Sequence, residues 1–391
     1  MSPKKITSIK ELQAVIREQT GLRKAETRPV LTVSAGTCGL ARGSQNVIDA
    51  LNRWIKKDKL EKKVKVKVTG CHGFCEAEPN IIIHPKEIFY QKVGPEHAGD
   101  ILHKTVLKKK VLGKLLYIDP NTGDRAATEA AIPFYKKQKR LVLGDNALID
   151  PTEIDDYFSI GGYGALLKIL SGMTPEEVIE TVKRSGLRGR GGAGFLTGTK
   201  WELARKVKGD TKYVICNADE GDPGAYMDRS LLEGNPHRVL EGMMIGAYAI
   251  GSTKGYMYVR DEYPLAVRHI SRAIEQAREL GLLGENILGR GFQFDVQIAK
   301  GAGAFVCGEE TALIASIEGR VGEPRQRPPF PAVKGLWGKP TNINNVETWG
   351  NVPIIIQKGG DWFAKIGTEG SKGSKIFSLV GKINNTGLVE V

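Results

Sequence analysis

Between Gly186 and Trp201 the chain reads Gly186-Leu-Arg-Gly-Arg-Gly-Gly-Ala-Gly-Phe-Leu-Thr-Gly-Thr-Lys-Trp201, with six glycines inside thirteen residues. Much of that backbone carries no side chain. Successive bare N–H groups can converge on a phosphate there, and a flat ring can lie against the main chain. Arg188, Arg190 and Lys200 bracket the loop with the positive charge that a phosphate site wants. Phe195 and Trp201 offer apolar planes. Loose glycine patterns also arise by chance, so a flexible basic loop is the competing reading. The stretch lacks the tight strand–turn–helix unit of a dinucleotide fingerprint, and alone it does not define an ordinary Rossmann domain.

Two other segments share a design. In Val214-Ile-Cys-Asn217-Ala-Asp219-Glu220-Gly-Asp222, an apolar strand ends in amide and carboxylate side chains. Binding residues often sit at such a carboxyl end, where carboxylates accept from ribose hydroxyls or ring N–H groups; a polar turn with a helix cap is the plain alternative. In Gly301-Ala-Gly-Ala-Phe-Val-Cys307-Gly308-Glu309-Glu310, a strand over 304–307 runs into paired glutamates and then a helix from Thr311 to Glu318. Glutamates there also suit simple capping of the helix dipole. Arg325-Gln-Arg327-Pro-Pro-Phe330 and Pro340-Thr-Asn-Ile-Asn344-Asn345-Val-Glu347-Thr348 follow.

The surrounding pattern is α/β. Helices are expected at 8–27, 44–57, 95–102, 164–170, 175–185, 235–251 and 264–280. Strands are expected at 30–33, 63–68, 80–84, 88–93, 213–216, 255–259, 292–298, 375–380 and 387–391. Residues 104–150 read as a basic linker with a strand or two, at 111–119 and 140–144. A chain of 391 residues suits two or three domains.

The net charge of +13 gathers in short lysine runs at 56–67, 108–110 and 136–140. These hold few base-stacking aromatics, so nucleic acid is not the expected partner; solvated faces are the plain reading, and an acidic protein partner is the minor one. No window of about 18 apolar residues exists to span a membrane. The segment Met1–Lys10 is basic without an apolar core, against secretion. Five cysteines are an odd number, against a disulfide framework. Cys216 and Cys307 read as buried thiols.

Taken together, in order and spacing, Gly186–Trp201, Asn217–Ala225, Gly301–Leu313, Pro328–Pro331 and Asn344–Thr348 resemble the NADH-binding flavoprotein subunit of respiratory complex I and its relatives in NAD-linked hydrogenases and formate dehydrogenases. The resemblance covers roughly 130–391. It implies an α/β protein with a central Rossmann-like flavin and NADH domain. It implies non-covalent FMN held with Gly189, Arg190, Gly191, Lys200, Asn217, Asp219, Glu220, Gly308, Glu309, Asn344 and Asn345. Gly192, Ala193, Phe195, Asp222, Glu310, Arg327 and Phe330 fall at the family's NADH-contacting positions. Asp222 stands where the family commonly has glutamate, Arg327 where it often has lysine, and Leu203 where an adenine-stacking aromatic is usual. The implied reaction is hydride transfer from NADH to FMN, then single-electron exit to iron–sulfur centres, with no protein acid–base residue for the hydride step. A non-catalytic docking or electron-wiring module is the alternative.

Cys71-His-Gly-Phe-Cys75, with Cys38 upstream, resembles a thioredoxin-like 2Fe–2S ferredoxin domain, which uses four thiolates. Ser34 aligns with the first of them. Three readings stand: a cluster on Cys38, Cys71, Cys75 and one other ligand such as Ser34; a docking module without its cluster; or a zinc or thiol-redox site using His72. The family's 4Fe–4S ligands are absent from the chain, and 374–391 reads as the opening of a β-grasp-like domain in a truncated product. The implied domains are an N-terminal helical segment (1–27), the ferredoxin-type domain (28–110), a linker (111–155), the FMN/NADH domain (156–355) and the β-grasp opening (356–391). The implied partners are iron–sulfur subunits of an NADH dehydrogenase, hydrogenase or formate dehydrogenase complex, and the implied location is cytoplasmic, peripheral to the membrane through those subunits.

Overall fold

A computed structural model describes residues 4–301 and 303–391. Met1–Pro3 of the basic N-terminus and Ala302 of the third motif lie outside the described residues. The chain forms two compact units. One is Lys24–Pro151 with Ile376–Val391; the other is Met1–Arg23 with Thr152–Lys375.

The first of these is built on a mixed sheet of β1 (Val30–Ser34), β2 (Lys65–Thr69), β3 (Ile81–His84) and β4 (Ile88–Tyr90), in the order β2-β1-β3-β4. β1 runs parallel to β2 and antiparallel to β3, the arrangement of a thioredoxin-like sheet. The helix Ser44–Lys57 lays Val47, Ile48, Leu51 and Ile55 on it, one face of a 3.6-residue period. β2 is an edge strand, and its lysines discourage pairing with another chain.

The segment read as a linker contains the short pair β5 (Tyr117–Ile118) and β6 (Arg125–Ala126). Its Tyr117, Ile132 and Tyr135 join Phe74 and Phe89 in a second core cluster. Residues 140–144 do not form the expected strand. The backbone N–H groups of Leu141, Val142 and Leu143 turn instead toward the carboxylate of Glu390.

The second unit carries β7 (Tyr213–Ala218), β8 (Lys254–Arg260), β9 (Gly284–Ile287), β10 (Phe292–Gly301) and β11 (Thr341–Asn345), ordered β11-β7-β8-β10-β9. The first four of that order run parallel, and β9 is an antiparallel edge. Val214, Ile215 and Cys216 are all fully buried, as a strand covered on both faces requires. The helices Pro236–Ile250 and Val346–Lys358 pack together, and Gly242 lets them touch: a Cβ there would meet the Trp349 carbonyl oxygen at 2.1 Å. The helix Pro175–Ser185 opens with a Thr174–Glu177 capping box and closes on Gly186, whose φ of +64° suits glycine. The expected strand at 304–307 is a short 3-10 turn, Phe305–Gly308, because β10 already ends at Gly301. Strands β12 (Ile376–Leu379) and β13 (Gly387–Glu390) form an antiparallel hairpin that belongs to the first unit. No helix among the described residues is long and apolar enough to cross a membrane.

Candidate flavin and nucleotide crevice

Four parallel strands bring their carboxyl ends to one edge of the five-stranded sheet, the place where open α/β sheets bind ligands. β7 delivers Asn217 and, just beyond its end, Asp219. β8 delivers Arg260, and β11 delivers Asn344 and Asn345. The Asn217 amide donates to the Gly308 carbonyl at 2.9 Å, and its oxygen accepts from the Asp219 N–H at 3.0 Å. Gly308 packs close, since a Cβ there would lie 3.2 Å from the Asp219 carbonyl oxygen, tight enough that the neighbour would have to shift. The Asp219 carboxylate stands 3.8 Å from Arg260 Nε, yet burial pushes its pKa up to about 6. Its Oδ2 is buried with no hydrogen-bond partner among the described residues.

Asn345 caps the helix Val346–Lys358, accepting from the N–H groups of Glu347 (2.8 Å) and Thr348 (3.3 Å), and donates to Asp228 at 2.5 Å. The glycine-rich loop rests on it: a Cβ at Gly191 would lie 3.2 Å from that of Asn345. Gly189 N–H donates to the Phe195 carbonyl at 2.8 Å, which turns residues 189–195 into a closed excursion. Gly192 sits at φ +101°, and both it and Ala193 are exposed.

A charged group forms beside the loop. Lys200 donates to the Ile343 carbonyl at 2.7 Å and pairs with Glu310. Arg327 approaches Glu310 at 3.8 Å and Glu309 at 3.9 Å, and lies 5.9 Å from the Phe330 ring centre. Phe195, Phe305 and Phe330 are 53%, 67% and 56% exposed, so three aromatic faces stand open to a ring-bearing ligand. Asp222 is exposed in the loop after β7.

Several expected contacts are engaged elsewhere. The Glu220 carboxylate accepts from the N–H groups of Asp228 (3.1 Å) and Arg229 (3.2 Å), capping the helix Met227–Gly234, and burial raises its pKa. Glu309 caps the helix Glu310–Ile317. Burial alone would raise its pKa, but the hydrogen bonds from Thr311 and Ala312 outweigh that and hold it below the usual range. Trp201 offers no open plane: it is fully buried against Trp349 and donates to Asn344 Oδ1 at 3.0 Å. Residues not expected from sequence also line this edge. Asp228, Arg260, Glu347 and Thr348 all touch candidate site groups, and a carboxylate in a helix's first turn was the available signal for Asp228 and Glu347.

In the other unit, Cys71 and Cys75 bring their sulfurs within 3.9 Å. Ser34 donates its hydroxyl to buried Glu78, and Cys38 lies half-buried on the short helix Thr37–Ala41. Among the described residues, no group of three or more His, Cys, Asp or Glu side chains is placed to hold a metal ion. Cys216 and Cys307 are buried free thiols.

Residues 182–354 match the Nuo51 FMN-binding domain family. The chain is 60% identical over 262 residues to the NADP-reducing hydrogenase subunit HndC of Solidesulfovibrio fructosivorans, an alignment covering 67% of this chain and 53% of that protein. It is 51% identical over 238 residues to an NADH-quinone oxidoreductase subunit of Rhizobium meliloti, covering 61% of this chain and 56% of the relative. The chain thus spans about half the length of the curated relatives it matches. Among solved structures it is similar to an NAD+-reducing [NiFe]-hydrogenase in the H2-reduced state, with a TM-score of 0.56 and 27% identity over 97% of this chain and 62% of that one.

Proposed function

We propose that the crevice holds FMN and a nicotinamide dinucleotide, and that the chain is the NADH-oxidising flavoprotein part of a larger NADH dehydrogenase or hydrogenase assembly. The observation that carries this reading is the convergence of bare loop backbone, the unmatched Asp219 oxygen and the Lys200–Glu310–Arg327 group on one edge of a parallel sheet. Bound FMN supplies hydride acceptance from a reduced nicotinamide and release of electrons one at a time.

The chain's residues bind and orient. Gly191 and Gly308 keep the backbone clear for a flat ring. Asp219 Oδ2 offers an acceptor for a ribityl hydroxyl or ring N–H. Lys200 places a cation beside the loop, and Glu310 and Arg327 set a charge pair where the dinucleotide would enter. Phe195 and Phe330 offer faces for its rings. The relatives' names include both NADH- and NADP-linked enzymes, and Arg327 leaves room for either nucleotide.

Within this reading, 156–355 is the flavin and nucleotide domain and 28–110 a ferredoxin-type module. The partners are iron–sulfur subunits, and the location is cytoplasmic. The test is to titrate the chain with FMN, following quenching of flavin fluorescence, and then to assay ferricyanide reduction by NADH. Saturable binding with NADH-dependent turnover supports the reading. Binding without turnover favours the docking module, no flavin binding removes the flavoprotein reading, and NADH-dependent bleaching of bound flavin removes the docking module.

A further inference from the structure

Arg190 sits in the glycine-rich loop, where a cation beside a flavin phosphate would be expected, but its side chain is aimed elsewhere. The guanidinium is 1% exposed and stands 3.6 Å from Glu347, itself 4% exposed. One terminal nitrogen donates to two carbonyls far along the chain, Lys372 at 2.7 Å and Ser374 at 2.9 Å. The other donates to the Arg188 carbonyl at 3.1 Å. The Arg190 peptide N–H goes to Thr348 Oγ1 at 2.9 Å. Arg188 repeats the pattern, donating to the Gly370 carbonyl at 2.9 Å and to Gly194 at 3.1 Å.

The far side is itself fixed. Gly367 bridges Lys372, and Gly373 lies so close over buried Phe363 that a Cβ would meet its ring at 2.0 Å. The arginines therefore tie the loop to the turn formed by residues 367–374.

We propose that Arg190 is a positioning residue rather than a phosphate ligand. With Glu347 as its buried counter-charge, it clamps the glycine-rich loop between the start of the helix Val346–Lys358 and the 367–374 segment, and so sets the backbone that receives the flavin. The planar fork suits this role, because it serves several carbonyls at once where a lysine ammonium is a single point charge. The inference rests on the flavin reading of the crevice.

The test uses the phosphate as a label. FMN and riboflavin are titrated separately into the full chain and into Arg190→Lys and Glu347→Gln, with circular dichroism to confirm folding. Saturable FMN binding by the unaltered chain tests the flavin reading first, independently of the clamp. Where riboflavin binds too weakly to titrate directly, its dissociation constant is read by competition against FMN. A clamp predicts that R190K weakens both flavins by about tenfold or more, with their ratio kept within about twofold. It predicts the same parallel loss in E347Q, because the unpaired guanidinium then pulls the loop off its seat.

A direct phosphate ligand predicts the opposite pattern. FMN alone weakens in R190K, and FMN binding improves in E347Q as the competing carboxylate is removed. That pattern, or no change in either flavin, overturns the proposal. If R190K fails to fold, the sign of the E347Q change decides.

Discussion

The two units place polar residues in the same topological position and do different things with them. In the five-stranded sheet, Asn217, Asp219, Asn344 and Asn345 stand at the carboxyl ends of parallel strands, and charges of both signs face one another across bare glycine backbone. In the four-stranded sheet, Ser34 and Thr69 end the parallel pair β1 and β2, with Cys71 just beyond. There the loop is sealed. Phe74 stacks on Phe134 at 4.3 Å, the His72 carbonyl accepts from Tyr135 and Arg140, and burial pushes the Glu78 carboxyl up to about 8. The carboxyl edge of a parallel pair gathers polar side chains in both cases. In the proposed reading, what makes one a ligand site is glycine that keeps its backbone bare and charge left facing inward.

Four substitutions break or sharpen that contrast. Phe74→Ala should cost the first unit about 3–5 kcal/mol in urea unfolding, the usual penalty for emptying a buried aromatic site, while FMN affinity stays unchanged. Loss of FMN binding in that variant would contradict the separation of roles. Gly191→Val drives a branched side chain against Asn345 and should weaken FMN by about a hundredfold, roughly 2.7 kcal/mol, with the fold retained by circular dichroism.

Asp219 gives a pH signature. Its folded pKa of about 6 lies above the ordinary 3.8, so between pH 4 and 6 the native state holds a proton that the unfolded chain has released. Stability of the flavin-free protein should therefore fall as pH rises through that window. Asp219→Asn should make the slope shallower by the share Asp219 carries, leaving the part owed to Glu78 and the other buried carboxyls; an unaltered slope in that variant would assign all of it to those groups. The smallest effect is expected from Leu203→Phe. Leu203 is 49% exposed, and an aromatic there should lower the NADH KM about threefold, near 0.7 kcal/mol, with kcat unchanged.

Much of the fold was legible because it is local. Helices at 44–57 and 175–185 end where periodicity and capping residues place them, and β7 announces itself as an unbroken apolar run, Tyr213 to Cys216. The site was legible where a strand runs directly into its polar residues, as at Asn217–Asp219; the strand that carries Asn344 and Asn345 was not expected, because Thr-Asn-Ile-Asn-Asn holds one apolar residue. What stayed hidden depends on partners distant in the chain. Arg190 meets carbonyls 182 and 184 residues away, and Glu390 receives N–H groups 247 to 249 residues back. Glu220 and Glu309 looked like ligand carboxylates because a cap and a ligand use the same residue types at the same strand–helix junction. The 111–155 stretch looked like a linker because its aromatics bury themselves against Phe74 and Phe89, which no local pattern records.

The most direct test of the central claim is an anaerobic absorbance spectrum of the chain saturated with FMN, taken before and after one equivalent of NADH. The account predicts a flavin band near 450 nm, the usual position for an oxidised flavin, that bleaches on addition of NADH in the unaltered chain and is largely absent from protein-bound material in Gly191→Val. A protein that takes up FMN but keeps the band unbleached under NADH would contradict it.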